Sequence, residues 1–138
     1  MSKSKTQPFA WSHGSVITVT ETKPPEKTLP RLWDGTAADR KLLPVVDGAM
    51  HYFPDAIAAV SHVSYVGNEQ HNPGQPMHWA QGKSSDHRNC IGRHLSQLGT
   101  LDTDGIPHSW KLAWRALANL QVELQEQGAP LPPRATKD

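Results

Sequence analysis

The sequence predicts a mainly α-helical protein, a small bundle of three to four helices preceded by an extended segment that is partly β or disordered. Apolar residues recur at helical spacing in three segments between residues 55 and 127. Capping residues, prolines and glycines stand at the ends of these segments, where helices usually begin and stop. Proline-rich stretches lie towards both ends of the chain and do not favour helix.

The first helix is expected over residues 55–66. Pro54 is suited to its first turn, because a proline there loses no helical hydrogen bond. Its apolar stripe consists of Ile57, Val60 and Val63.

The second helix is expected to begin near Ser84 or Ser85 and to end at Gly99. Its apolar stripe consists of Ile91, Leu95 and Leu98. His87 and His94 are seven residues apart and fall together on one edge of that stripe. Two histidines in this position are compatible with structural hydrogen bonding and equally with a functional site.

The third helix is expected from Pro107 to about Gln127, with Gly128 as the stop. The residues of its apolar face are Ala113, Ala116, Leu117, Leu120 and Leu124. The opposite face carries His108, Lys111, Arg115 and Asn119. A polar stripe on an amphipathic helix is typical of a solvated face.

Residues 37–53 are apolar but are interrupted by Pro44 and Gly48, so they predict a short helix and a turn. A bundle this thin commonly completes its core by assembling with further copies. We therefore expect a homo-oligomer.

The chain divides into three regions. Residues 1–35 are expected to form an extended or flexible arm, in which SVITVT at 15–20 alternates like a strand. Residues 36–128 form the helical domain, and residues 129–138 are proline-rich and expected to be a flexible tail.

Composition excludes several classes of protein. The net charge is only +1 and the hydrophobic content is 36%, so neither a strong nucleic-acid signal nor extensive disorder is indicated. Cys90 is the single cysteine and cannot form an internal disulfide. No apolar run approaches the roughly 20 residues of a membrane helix, and the first residues lack the apolar segment of a signal peptide. The chain is expected to be soluble and cytoplasmic, without a membrane partner.

Residues 67–79, GNEQHNPGQPMHW, combine loop-forming and site-forming side chains. Their prolines and glycines predict a loop through most of the stretch. The histidines, the glutamate and the amides are groups that also build binding sites. A structural role is the alternative, with the amides satisfying turns and Trp79 closing the core.

Six spaced motifs carry a resemblance to a known family. In order they are YFPDA at 52–56, GNEQHNPG at 67–74, HW at 78–79 followed by KSSD at 83–86, RHL at 93–95, LDTDG at 101–105 and HSWKLAWRALA at 108–118. Over roughly residues 40–125 the chain resembles the phage-encoded N-terminal domain family of dATP/dGTP diphosphohydrolase. The resemblance implies hydrolysis of purine deoxynucleoside triphosphates to monophosphate and pyrophosphate, in the host cytoplasm. The alternative is a non-catalytic phage protein that binds or sequesters a nucleotide and so counters host nucleotide signalling.

Such chemistry requires cations for the phosphates, a surface for the base and a means of activating water. The candidate substrate-binding residues are Asn72, Trp79, Lys83, Arg93, Lys111 and Arg115. The candidate catalytic residues are Glu69, Asp86, His94 and His108, and the candidate metal ligands are Asp86 and Asp102. The cofactor expected of an enzyme is a divalent ion, Mg²⁺ or Mn²⁺, with Zn²⁺ as a further option. Because closely spaced acids are scarce, an alternative centre would combine His94, His108, Asp86 and Asp102 around a transition metal.

Overall fold

A computed structural model describes residues 32–138, and the mainly α-helical fold is confirmed. The helical elements are α1 (Ala37–Lys41), a π-helical turn (Val46–Met50), α2 (Pro54–His71), a 3-10 turn (Gln81–Lys83), α3 (His87–Ser96) and α4 (His108–Glu126). The strands are β1 (Trp79–Ala80) and β2 (Ala135–Thr136). The strand expected at 15–20 lies outside the described residues.

A capping box begins α1 within the segment where a short helix was expected. The Thr36 hydroxyl accepts a hydrogen bond from the Asp39 backbone N–H at 3.2 Å, and the Asp39 carboxylate accepts one from the Thr36 N–H at 2.8 Å. This reciprocal pair satisfies two donors that a helix start leaves unpaired. The π-helical turn follows and leads into α2.

Helix α2 is longer than the sequence predicts, because it continues five residues beyond Val66 to His71. Pro54 is its first residue, as expected, and Gly67 is tolerated inside it. Asn68 is buried on the last turns, where its Nδ2 donates to the Gln75 carbonyl at 2.9 Å and its Oδ1 accepts from the His78 N–H at 3.1 Å. Asn68 therefore ties the connection after α2 back onto the helix.

Helix α3 is shorter than predicted, since it begins at His87 and ends at Ser96. Ser84 does not cap it, because its hydroxyl accepts a hydrogen bond from Arg115 at 2.6 Å. Asp86 precedes the helix without a side-chain capping bond. Helix α4 matches its prediction closely, and Gly128 follows it with a φ of 105° that favours glycine.

Helix α4 packs against both α3 and α2, and it does so through the face that was expected to be solvated. His108 is 3% exposed and Lys111 and Arg115 are half-buried, whereas Leu117 is 55% exposed. The same reversal occurs in α3, where His94 is 2% exposed and Leu95 is 57% exposed. The two helices therefore meet through polar residues and leave apolar residues at the surface.

The described part of the chain has a small apolar interior. The apolar residues buried there are Ile106, Ala118 and Ala135, and the buried polar residues are Asn68, Gln81, His87, His94 and His108. The buried Gln81 amide is satisfied by a reciprocal pair with Gln125, at 2.8 and 3.1 Å. Within residues 32–138, no helix has the length and apolar character needed to cross a membrane.

The segment expected to be a flexible tail contributes β2, which pairs in parallel with β1. Trp79 lies opposite Ala135, and the Trp79 N–H donates to the Arg134 carbonyl at 2.8 Å. Ala135 is buried by this pairing. The C-terminal residues thus pack beside the turn that leads into α3.

Substituting Gly82 by alanine should loosen this C-terminal strand. A Cβ at Gly82 would lie 2.6 Å from the backbone oxygen of Lys137, so one of the two segments must move. We expect a loss of about 1–3 kcal/mol in the free energy of unfolding, together with faster hydrogen exchange of the Trp79 amide. Gly92→Ala is the matched control, because its Cβ meets no atom within 4 Å and should stabilise α3 by about 0.5–1 kcal/mol. Equal behaviour of the two variants would contradict the prediction.

Candidate functional site

A cavity of about 390 Å³ opens between α2, α3, α4 and residues 77–84. Its basic lining residues are Lys83, Arg93, Lys111, Arg115 and Arg134, and its acidic ones are Asp102 and Asp104. Five cations against two carboxylates leave a formal excess of three positive charges around one cavity. Such a surplus favours an anionic ligand.

Arg115 is held in a defined orientation at the wall of the cavity. Its guanidinium donates to the Ser84 hydroxyl at 2.6 Å and lies 3.3 Å from Nδ1 of His87. The same group lies 5.4 Å from the centre of the Trp114 ring, within the range of a cation–π interaction. A guanidinium fixed in this way loses little side-chain entropy when it binds an anion.

Two tryptophans form an apolar wall of the same cavity. The rings of Trp79 and Trp114 meet edge to face with centroids 5.8 Å apart, and Trp114 Nε1 donates to the Ser64 hydroxyl at 2.8 Å. Trp79 also lies edge to face with His87, at 6.4 Å. Trp79 Nε1 is buried and has no hydrogen-bond acceptor among residues 32–138.

A cluster of His94, Asp102 and His108 adjoins the cavity, because His94 and Asp102 belong to its lining. Each offers one ligand atom, and these atoms lie within 4.8 Å of one another. Nδ1 of His94 and Nδ1 of His108 are 2.8 Å apart in a buried contact. The helices α3 and α4 supply the imidazoles and the turn between them supplies the carboxylate, so the cluster can hold a metal ion.

Lys111 bridges the two carboxylates of that turn. Its Nζ lies 2.7 Å from Oδ2 of Asp102 and 2.7 Å from Oδ2 of Asp104. The hydrogen bond from Lys111, together with one from the Thr103 N–H, lowers the pKa of Asp102 to about 2. Asp102 is therefore ionised at neutral pH.

Burial, followed by the positive charge of Arg93, lowers the pKa of His94 below its ordinary value. His94 is consequently neutral at pH 7. A neutral imidazole has one nitrogen lone pair free to accept a proton or a metal ion.

Stability should fall as the pH drops through the histidine range, and His87 should be one cause. His87 is 5% exposed, and burial, followed by the Arg115 charge, lowers its pKa from 6.5. The unfolded chain then takes up a proton at a higher pH than the folded chain, so stability is lost below about pH 6.5. Urea unfolding at about pH 8 and about pH 5.5 measures this loss. His87→Gln should make this loss of stability smaller, and His94 should account for part of the loss that remains. If the free energy of unfolding of the variant falls with pH as steeply as that of the unaltered protein, the assignment to His87 is refuted.

The structure brings most of the candidate residues to one place. Those that line the cavity are Asn72, Trp79, Lys83, Arg93, His94, Asp102, Lys111 and Arg115. His108 does not line the cavity, but its Nδ1 contacts Nδ1 of His94 in the buried cluster. Lys111, expected to bind phosphate, is instead neutralised by its two carboxylate partners.

Two candidate acids are not brought to the cavity lining. Glu69 is exposed on α2, which extends further than predicted. The Asp86 carboxylate is exposed and accepts hydrogen bonds from Asn89 Nδ2 at 2.9 and 3.1 Å. The four-residue centre of His94, His108, Asp86 and Asp102 is therefore assembled without Asp86.

Sequence reasoning missed several lining residues. Arg134 belongs to the expected tail, and no local pattern indicated its pairing beside β1. Asp104 was visible in the DTDG turn, but its contact with Lys111 depends on how that turn folds over α4. The sequence indicated only that Trp114 is a large aromatic residue on a helix, and such residues usually lie in the core.

Comparisons of the chain with protein-family models, with curated proteins and with solved structures found no match.

Proposed function

We propose that this protein binds a purine deoxynucleoside triphosphate, dATP or dGTP, in the cavity between α2, α3 and α4. One observation carries the proposal: basic side chains and two tryptophan rings line the same cavity of about 390 Å³. That volume is within the usual range for small-molecule sites. Phosphates need the charges, and a base needs the aromatic wall.

The phosphate groups would bind at the basic side of the cavity. Within residues 32–138, no carboxylate forms an ion pair with Lys83, Arg93, Arg115 or Arg134. Their charges are therefore available to an anion, unlike that of Lys111. Arg93 and Arg115 suit phosphate best, because a guanidinium can donate two parallel hydrogen bonds to its oxygens.

The base would lie against Trp79 and Trp114. Stacking of a base on an aromatic ring contributes roughly 1–3 kcal/mol and tolerates different bases. Asn72 lines the cavity beside this wall and offers a donor and an acceptor to the edge of the base. The amide of Asn68 is already used to hold the neighbouring connection, so it supports the site from behind.

Hydrolysis to monophosphate and pyrophosphate is the reaction that the family resemblance suggests for this site. A water oxygen would form a bond to the α-phosphorus, and the bond from that phosphorus to the α–β bridging oxygen would break. Pyrophosphate would leave with the electron pair, and the proton lost by water would pass to the solvent. A divalent metal would neutralise charge on the phosphates.

Sequestration without chemistry is the second candidate, and one observation favours it. The two carboxylates in the cavity, Asp102 and Asp104, are both paired with Lys111, while Glu69 and Asp86 lie elsewhere. The cavity therefore lacks the several free carboxylates that bind Mg²⁺ in most phosphate-transfer sites. For a phage protein, either activity would act on the nucleotide pool of the host cytoplasm.

Calorimetric titration of the full chain with dATP and dGTP in EDTA tests the binding. Inorganic triphosphate and deoxyadenosine, titrated separately, divide the contribution of the phosphates from that of the base. The proposal expects the triphosphate nucleotide to bind more tightly than either fragment. The proposal would be overturned if titration with nucleotide released no heat of binding and the protein retained no nucleotide, whether or not metal was added. Chromatography after incubation with Mg²⁺ or Mn²⁺ then decides the function: monophosphate and pyrophosphate indicate the enzyme, and unchanged nucleotide indicates sequestration.

A second copy of the chain would cover the outward apolar stripes of α3 and α4. These stripes include Leu95 and Leu98 on α3, and Leu117 and Leu120 on α4. The occupant is assigned as a second copy because the apolar interior of residues 32–138 is too small to account for their fold, and another copy of the chain is always present to cover the stripes. The near-zero net charge of +1 opposes association little. Light scattering should give a mass at least twice the 15.2 kDa of one chain. A monomer at micromolar concentration would refute the assembly.

A further inference from the structure

We infer that His94, Asp102 and His108 form a binding site for one divalent first-row transition metal ion in a six-coordinate arrangement. This inference deepens the proposed function, because the ion would adjoin the cavity assigned to the nucleotide.

Both histidines of the cluster are buried. His94 and His108 are 2% and 3% exposed, in a chain that leaves many large apolar residues at its surface. Burying two polar rings costs free energy, and apolar residues in the same positions would stabilise the contact of α3 with α4 more simply. Two imidazoles that converge at 2.8 Å in this interior are therefore better explained by a ligand that needs both.

The spacing of the two histidine nitrogens fits an octahedral ion better than a tetrahedral one. Metal–nitrogen bonds of about 2.1 Å that meet at a right angle place the nitrogens about 3.0 Å apart, whereas a tetrahedral angle places them about 3.4 Å apart. The distance between Nδ1 of His94 and Nδ1 of His108 is 2.8 Å. The pair is thus preorganised for neighbouring positions in an octahedron, and an ion would take the place of the hydrogen that the nitrogens share.

The ligand set favours a transition metal over Mg²⁺. Two imidazoles and one carboxylate suit Mn²⁺, Fe²⁺, Co²⁺ or Ni²⁺ better than Mg²⁺, which prefers oxygen ligands. Three protein ligands leave three positions for water and for phosphate oxygens. Asp102 has lone pairs left after accepting from Lys111 and Thr103, so it can serve the ion and Lys111 together.

Metal binding can be measured without any nucleotide. We would strip the full-length protein with a chelator, remove the chelator and titrate it with Mn²⁺, following the free ion by electron paramagnetic resonance. Co²⁺ absorption would report the coordination number. The expected result is one ion per chain and the weak absorption of six-coordinate Co²⁺.

Matched variants identify the ligands. His94→Gln, His108→Gln and Asp102→Asn should each weaken Mn²⁺ binding at least tenfold. Asp86→Asn removes an exposed carboxylate that does not line the cavity, and His62→Gln removes an exposed histidine of α2. Both controls lie outside the cluster and should bind Mn²⁺ within about threefold of the unaltered protein.

Different results would overturn the metal site and its coordination number. Failure to bind Mn²⁺, Co²⁺ or Ni²⁺ at millimolar concentration, or equal weakening in the control variants, would overturn the site. Intense Co²⁺ absorption, typical of a tetrahedral ion, would overturn the six-coordinate assignment. If a ligand variant does not fold, NMR of the unaltered protein still decides, because paramagnetic broadening by Mn²⁺ should affect the ring signals of His94 and His108 before those of His87. Nucleotide binding in EDTA fails or succeeds independently of each result.

Discussion

Replacing Arg93 by alanine should weaken binding of dATP or dGTP by about ten- to a hundredfold, because a hydrogen bond to a charged group contributes about 1.5–3 kcal/mol. Arg93 lines the cavity, and among residues 32–138 it has no carboxylate partner. Its removal therefore should cost binding free energy with little change in the stability of the fold. Calorimetry measures the affinity, and urea unfolding measures the stability.

Arg88→Ala is the matched control for this variant. Arg88 is an exposed arginine on the same helix and does not line the cavity. It removes the same charge from the chain, so any loss due to net charge alone would appear in both variants. Equal losses in the two variants would show that the ligand is attracted by long-range charge and does not contact Arg93.

Replacing Trp114 by alanine should destabilise the protein by about 3 kcal/mol, the lower end of the range for large aromatic residues in a core. Trp114 packs edge to face on Trp79 and donates a hydrogen bond to Ser64 of α2. It also lies beneath the Arg115 guanidinium. Its loss would open the junction of α2, α4 and β1, and thermal unfolding followed by circular dichroism would report the change.

Trp110→Ala is the comparison that isolates this effect. Trp110 lies one turn earlier on α4, is 37% exposed and meets His62 edge to face. We expect a loss of about 1 kcal/mol for this variant, the central value for point substitutions. If Trp110→Ala lost more free energy of unfolding than Trp114→Ala, the outward side of α4 would contribute more to stability than the side that lines the cavity. That result is expected if the outward side is an interface between copies of the chain.

The helices could be predicted because their signals are local. Pro54, Pro107 and Gly128 mark helix ends through backbone conformation alone, and the structure places helix ends beside all three. The end of α2 was missed because the prolines and glycines of residues 67–79 predicted a loop, although a single glycine such as Gly67 costs a helix interior only about 1 kcal/mol. The start of α3 was missed because Ser84 is used by Arg115, a residue 31 positions away.

The direction in which the helices face could not be predicted from amphipathicity. That inference assumes that the apolar stripe faces the interior. Here His94 and His108 face inward and Leu95 and Leu117 face outward. When the helices of one chain pack around a polar site, the pattern of polar and apolar residues does not reveal which helix face points to the interior.

The types of residue that form the site could be predicted from the sequence. Which of those residues come together in the fold could be predicted only in part. His94, Arg93 and Arg115 were singled out for their chemistry, and all three line the cavity. Asp86 and Asp102 were indistinguishable in sequence, since each is an acid close to a helix start. Only the fold of the α3–α4 turn brings Asp102 to the histidines and leaves Asp86 outside.

The pairing of β2 beside β1 has a practical consequence for purification. Arg134 lines the cavity, and Asp138 lies four residues further along the chain. A polyhistidine tag fused there would bring mobile imidazoles to the mouth of the cavity, where they would compete for Mn²⁺ or Ni²⁺. Metal stoichiometry should therefore be measured on untagged protein, since an apparent second ion per chain would otherwise come from the tag.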